Sequence, residues 1–95
     1  MGLMKNTVRL MAEFTSFSDV LADPSGITLE VYEKNTGTSL MSFSGSSITR
    51  ESLGVYYANF TVPKGVGTIE YEWSGTMDSY PIVNRGIISR EWLRL

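Results

Sequence analysis

The chain has 95 residues, with 8 Lys and Arg against 10 Asp and Glu, a formal charge of -2, and neither Cys nor His. That size closes one core of two packed layers in a single domain over residues 1–95, and the charge balance offers no basic field to a phosphate backbone, so nucleic acid is not an expected partner. Lacking thiol and imidazole, the chain has no thiolate or histidine route to zinc ligation, nucleophilic catalysis or haem binding. The absence of Cys also leans toward assembly in a reducing cytoplasm. The opening MGLMKNTVRLMAEF holds no apolar run of signal-peptide or membrane-spanning length, so neither export nor membrane insertion is expected.

Period-two alternation dominates, which predicts strands. From Thr7 to Thr15, Val8, Leu10, Ala12 and Phe14 share one face, and Arg9, Met11 and Glu13 the other. The following FSDVLADPSG, Phe17 to Gly26, collects turn-forming Ser, Asp, Pro and Gly and reads as a long loop. Its Val20 and Leu21 are apolar where solvent is expected, and either plug one end of the fold or meet a partner.

Ile27 to Glu33 alternates again, with Ile27, Leu29 and Val31 inward, and Lys34 to Gly37 closes it as a turn. Thr38 to Ser44 does not hold Leu40, Met41 and Phe43 to one parity, which suggests an edge strand or a bulge. Ser47 to Ser52, whose one apolar residue is Ile48, reads as a second short edge strand.

Val55 to Val62 carries the strongest β signal, with Tyr56, Ala58, Phe60 and Val62 facing one way, and is expected to be central. Pro63 to Gly67 then connects to Thr68 to Ser74, where Ile69, Tyr71 and Trp73 face inward; these two strands are expected to form a hairpin. After a loop from Gly75 to Tyr80, Pro81 to Leu95 supplies the last strand, with a bulge expected at Gly86. Its end, Glu91 to Leu95, is apolar for a terminus; Trp92, Leu93 and Leu95 either dock on their own sheet or contact a neighbouring subunit.

These segments predict an all-β protein: an immunoglobulin-like antiparallel two-sheet sandwich of about seven strands, with a small SH3-like barrel as the alternative. No catalytic, cofactor or metal site is expected. The acidic residues Glu13, Glu30, Glu33, Glu70, Glu72 and Asp78 fall on outward or loop positions, and Asp19 and Asp23 have no third ligand at a calcium-loop spacing. Gly65-Val66-Gly67 joins strand to strand, so no helix N-terminus follows to hold a phosphate. Tyr32 and Tyr57 read as cross-strand partners, no Lys or Arg being expected near them.

Several segments in order resemble the short immunoglobulin-like structural proteins of tailed bacteriophages and prophages. These are VRLMAEFTSF, then Asp23-Pro24-Ser25-Gly26 leading into ITLEVYEKNTG, then ITRESLGVYYANFTVPKGVGTIEYEWSGT. Glu51 to Tyr56 is also similar to the tyrosine corner of immunoglobulin folds, with Tyr56 as its tyrosine. The resemblance implies a virion component, at the neck between portal and tail or as a head decoration or fibre protein. It would be assembled in the host cytoplasm, present in symmetric copies, and in contact with itself and other virion proteins. Val20, Leu21, Trp92, Leu93 and Leu95 are then the expected contact residues.

Overall fold

A computed structural model describes residues 7–63, 65 and 67–88. Seven strands follow in order: β1 (Thr7–Glu13), β2 (Ser25–Glu33), β3 (Ser39–Ser44), β4 (Thr49–Ser52), β5 (Val55–Thr61), β6 (Ile69–Met77) and β7 (Tyr80–Ile88), with one 3-10 turn at Gly45–Ser47. They form two antiparallel sheets, β1-β5-β4 and β3-β2-β6-β7. Taken as strands B, C, C′, D, E, F and G, they reproduce the two sheets of an immunoglobulin-type sandwich, B-E-D facing C′-C-F-G. Strand A has no counterpart among the described residues. The barrel alternative is not what forms, because the strands divide into two separate sheets.

Alternation explains the core. Leu10, Ala12 and Phe14 from β1 and its end meet Tyr56, Ala58 and Phe60 of β5 on one inner face. Leu29, Val31, Phe43, Ile69, Trp73, Met77 and Ile88 make the other. No polar or charged residue is buried among those described. Trp73 is wholly enclosed and stands edge-on to Phe14, with ring centroids 6.4 Å apart, so one aromatic pair ties the two sheets together. Its indole Nε1 is buried without a hydrogen-bond partner.

Four expectations change. The strands on either side of Pro63 are not a hairpin: β5 pairs with β1 and β4, and β6 with β2 and β7, so the connection crosses between sheets. Both carry a full apolar face, and those faces meet across the core. Secondly, β6 and β7 stay in register from Ile69↔Ile88 to Met77↔Tyr80, with no bulge at Gly86. Gly86 is instead the floor for the Tyr71 ring, whose atoms lie 2.3 Å from where a Cβ would sit. Thirdly, Gly75 to Met77 continues β6 and leaves Asp78-Ser79 as a two-residue turn. Finally, Ser25 and Gly26 belong to β2, whose register against β6 shifts between Ser25 and Thr28, with Gly26 at φ +61°.

The two weak strands are edges as expected. β3 carries a bulge opposite Val31 and Tyr32, and β4 is four residues long and exposed throughout.

Candidate functional site

One end of the sandwich is organised by a latch between the β1–β2 loop and the β4–β5 hairpin. Arg50 of β4 sits opposite Tyr56 of β5. Its Nε lies 3.1 Å and 3.2 Å from the two carboxylate oxygens of Asp23, and its second guanidinium nitrogen closes the pair at 3.1 Å. The Gly54 amide donates to the same carboxylate at 2.8 Å. Two donors of this kind stabilise the ionised acid. Hydrogen bonding from Arg50, then from Gly54, accordingly holds Asp23 below its ordinary range.

Tyr56, opposite Arg50 in the ladder, lies beside the cluster: burial first, then the nearby Asp23 carboxylate, pushes its ionisation up. The tyrosine-corner expectation is thereby corrected in its details. In immunoglobulin folds that tyrosine begins strand F, whereas Tyr56 lies on β5, the E position, opposite Arg50 of β4.

Backbone bonds complete the latch. The Phe14 amide donates to the Gly54 carbonyl at 2.7 Å, and the Ala22 amide donates to the Phe14 carbonyl at 3.0 Å. Gly54 has φ +75°, and a Cβ on it would stand 2.7 Å from the Phe14 carbonyl oxygen and 3.0 Å from the Ala22 nitrogen. Only glycine meets both requirements. A cleft of about 300 Å³ adjoins the latch, lined by Pro24, Gly26, Ile27, Gly45, Ile48, Arg50 and Tyr56.

Above this latch, three connections present apolar side chains to solvent. The β1–β2 loop supplies Phe17, Val20 and Leu21, 66, 60 and 38 % exposed; the β4–β5 turn supplies Leu53; the start of β7 supplies Tyr80. Phe17 and Tyr80 meet edge to face with centroids 5.7 Å apart, bridging two of the connections. The loop is a small hairpin: Thr15 bridges Leu21, and the Ser16 amide bonds the Val20 carbonyl. The plug expected of Val20 and Leu21 is provided instead by Phe14, with Ala22 packed against the core.

Positive backbone φ angles gather at the same end. Asp19, Asp78 and Ser79 hold φ of 64°, 51° and 70°, and they are the positive-φ non-glycine residues among those described. At Asp78 and Ser79 this is the geometry that a two-residue hairpin turn requires of both central residues. In the immunoglobulin lettering this is the end of the B–C, D–E and F–G connections.

Of the expected contact residues, Val20 and Leu21 stand on this tip, while Trp92, Leu93 and Leu95 lie outside the described residues. Phe17, Leu53 and Tyr80 were not singled out by sequence. Each adjoins a turn, and apolar residues beside turns were the available signal. Elsewhere, the Glu30 carboxylate accepts from the Ser39 hydroxyl and, at 2.6 Å, from the Ser42 hydroxyl, bonds that hold it below its ordinary range. Arg85 pairs with Glu72 at 3.5 Å. The expectation of no cation near Tyr57 is overturned, since the Arg9 guanidinium lies 4.0 Å above its ring centroid. Among the described residues no group of three His, Cys, Asp or Glu side chains could hold a metal. Among the same residues no helix is long and apolar enough to cross a membrane.

No family model, curated protein or solved structure matches the chain. Its fold and its surfaces therefore carry the functional argument.

Proposed function

We propose that this protein is a non-enzymatic structural component of a tailed-phage virion, at the neck or head–tail connection or as a head decoration or fibre protein, docking on other virion proteins through its loop tip. The observation that carries the reading is the tip itself: Phe17, Val20, Leu21, Leu53 and Tyr80 exposed together on a scaffold latched beneath them. Exposed apolar clusters of this kind mark protein contacts, and aromatic anchors supply most of the binding energy in such contacts. The sequence resemblance to phage sandwich proteins supplies the setting.

The alternative is a free-standing immunoglobulin-like module that recognises a surface glycan or protein. The aromatic pair Phe17–Tyr80 beside the Asp78-Ser79 turn favours it, since stacking rings beside polar groups suit sugars. The two readings share a surface and differ in what covers it.

The test is a Phe17→Ser/Val20→Asp double variant. Both side chains are mostly exposed, so its melting temperature stays within a few degrees of the parent, as expected for surface changes. Its incorporation into particles assembled in the presence of parent protein as competitor falls by about tenfold or more, the loss expected for two contact anchors. Equal incorporation of variant and parent overturns the tip as the docking surface. Absence of the parent protein itself from particles, together with parent binding to a glycan panel that the variant loses, supports the alternative.

A further inference from the structure

The four sheet edges are not equally protected. β4 has four residues, β3 is bulged and ties Ser39 and Ser42 to Glu30, and β7 contains Pro81 and Gly86. Short length, bulges and proline are the usual guards against edge pairing. β1 has none of them. Its seven residues run in unbroken register against β5 from Thr7↔Thr61 to Glu13↔Val55, and among the described residues no strand pairs with its other side, where an immunoglobulin sandwich would carry strand A.

Which backbone groups face that open edge follows from one bond. The Phe14 amide donates to Gly54, on the β5 side, and in an antiparallel ladder bonding direction alternates residue by residue. Val8, Leu10 and Ala12 therefore turn their amides and carbonyls toward β5, and Arg9, Met11 and Glu13 turn theirs to the free edge. The loop does not block it, because Ala22 contacts Gly54 and so returns on the β5 side.

We infer that β1 is a self-complementary docking edge that pairs antiparallel with β1 of a second copy about a two-fold axis through Met11. The order of its exposed residues carries the inference. With Met11 opposite its symmetry mate, Arg9 falls opposite Glu13 of the other copy and Glu13 opposite Arg9, so both cross-strand positions unite opposite charges. On the inner face the same register sets Leu10 against Ala12 and Val8 against Phe14, apolar against apolar. The residues placed opposite one another on the outer face are those whose backbone groups are free, so charge pattern and hydrogen-bond phase select the same register. Glu13 forms no ion pair among the described residues. Arg9 is held on the outer face by the Tyr57 ring, and a hollow of about 260 Å³ bounded by Met11, Ala12, Glu13 and Val55 can receive the mate's methionine. The product is a continuous sheet, β4-β5-β1 joined to its symmetry copy.

One strand pair is a small interface, so the dimer is weak and concentration-dependent. Sedimentation equilibrium over a concentration series reads it, with circular dichroism confirming that every variant is folded. Wild-type protein shows a reversible monomer–dimer equilibrium. Arg9→Glu and Glu13→Arg, each placing like charges opposite one another twice per dimer, weaken association by about tenfold or more. The double reversal, Arg9→Glu with Glu13→Arg, recreates both pairs and restores it to within a few-fold. A monomer throughout, single variants that dimerise like wild type, or a double variant as weak as the singles would each overturn the pairing. The virion reading stands apart, since it rests on tip residues that these variants leave unchanged.

Discussion

Replacing Gly54 with alanine lowers the melting temperature by roughly 12 to 24 °C, the shift that a loss of about 3 kcal/mol produces in a domain of this size. Two costs add. The residue holds φ +75°, a region that an alanine enters only with strain. The new methyl would also stand 2.7 Å from the Phe14 carbonyl oxygen and 3.0 to 3.1 Å from the Ala22 backbone, and these atoms cannot retreat, because the Ala22 amide is bonded to that carbonyl. Gly45 is a built-in control: its φ is +55° but nothing lies within 4 Å of its Cβ position, so Gly45→Ala incurs the backbone cost alone. The latch also responds to acid. Asp23 is depressed below the ordinary carboxylate value by Arg50 and Gly54, so its contribution is complete above the unfolded value of about 4 and fades as pH falls through the lower folded one. Asp23→Asn shows a shallower loss of stability across that acid range. Thermal melts between neutral and acidic pH measure both effects, and an unchanged melting temperature in Gly54→Ala would contradict the latch.

Trp73→Ala removes the most enclosed side chain of the core and costs about 3 to 5 kcal/mol, the range for truncating a buried tryptophan. Since domains of this kind hold only about 5 to 15 kcal/mol in total, the loss takes a large fraction of the whole and the melting temperature falls steeply. Its effect is amplified by position: Trp73 spans from β6 to Phe14, and Phe14 in turn meets Tyr56 at 5.9 Å, so the cavity loosens both sheets and the latch. Trp73→Phe costs distinctly less. It keeps an aromatic ring against Phe14 and removes the indole N–H that is buried without a partner, a group whose burial is itself unfavourable. Urea denaturation of the three proteins gives the ranking wild type, Trp73→Phe, Trp73→Ala. Equal losses in the two variants would show that the indole nitrogen has a partner.

Alternation made the inner faces of β1, β2 and β5 legible in advance, because a half-buried strand must put every second side chain into the core. It could not say which strands share a sheet. β5 and β6 follow one another, and both bury one full face, a pattern compatible with pairing side by side or with facing across the core; the sandwich uses the second. Gly86 reads as a register break because a parity pattern does not reveal that the Tyr71 ring of the neighbouring β6 needs the space. The latch was hidden for a related reason. Asp23 and Arg50 are 27 residues apart, and each reads alone as a solvated charge. The tip was partly visible in Val20 and Leu21. Phe17, Leu53 and Tyr80 join it only once three separate connections are brought to the same end of the fold. The order Arg9-Met11-Glu13 was visible from the start as an outward face, but its significance depended on learning that β1 is an edge.

The most direct test of the central claim is quantitative mass spectrometry of particles purified from cells that express the chain. The account predicts peptides of this chain at a copy number fixed relative to the other structural proteins, retained through washing at high salt because apolar contacts hold them. Particles that assemble and infect without the chain would contradict it.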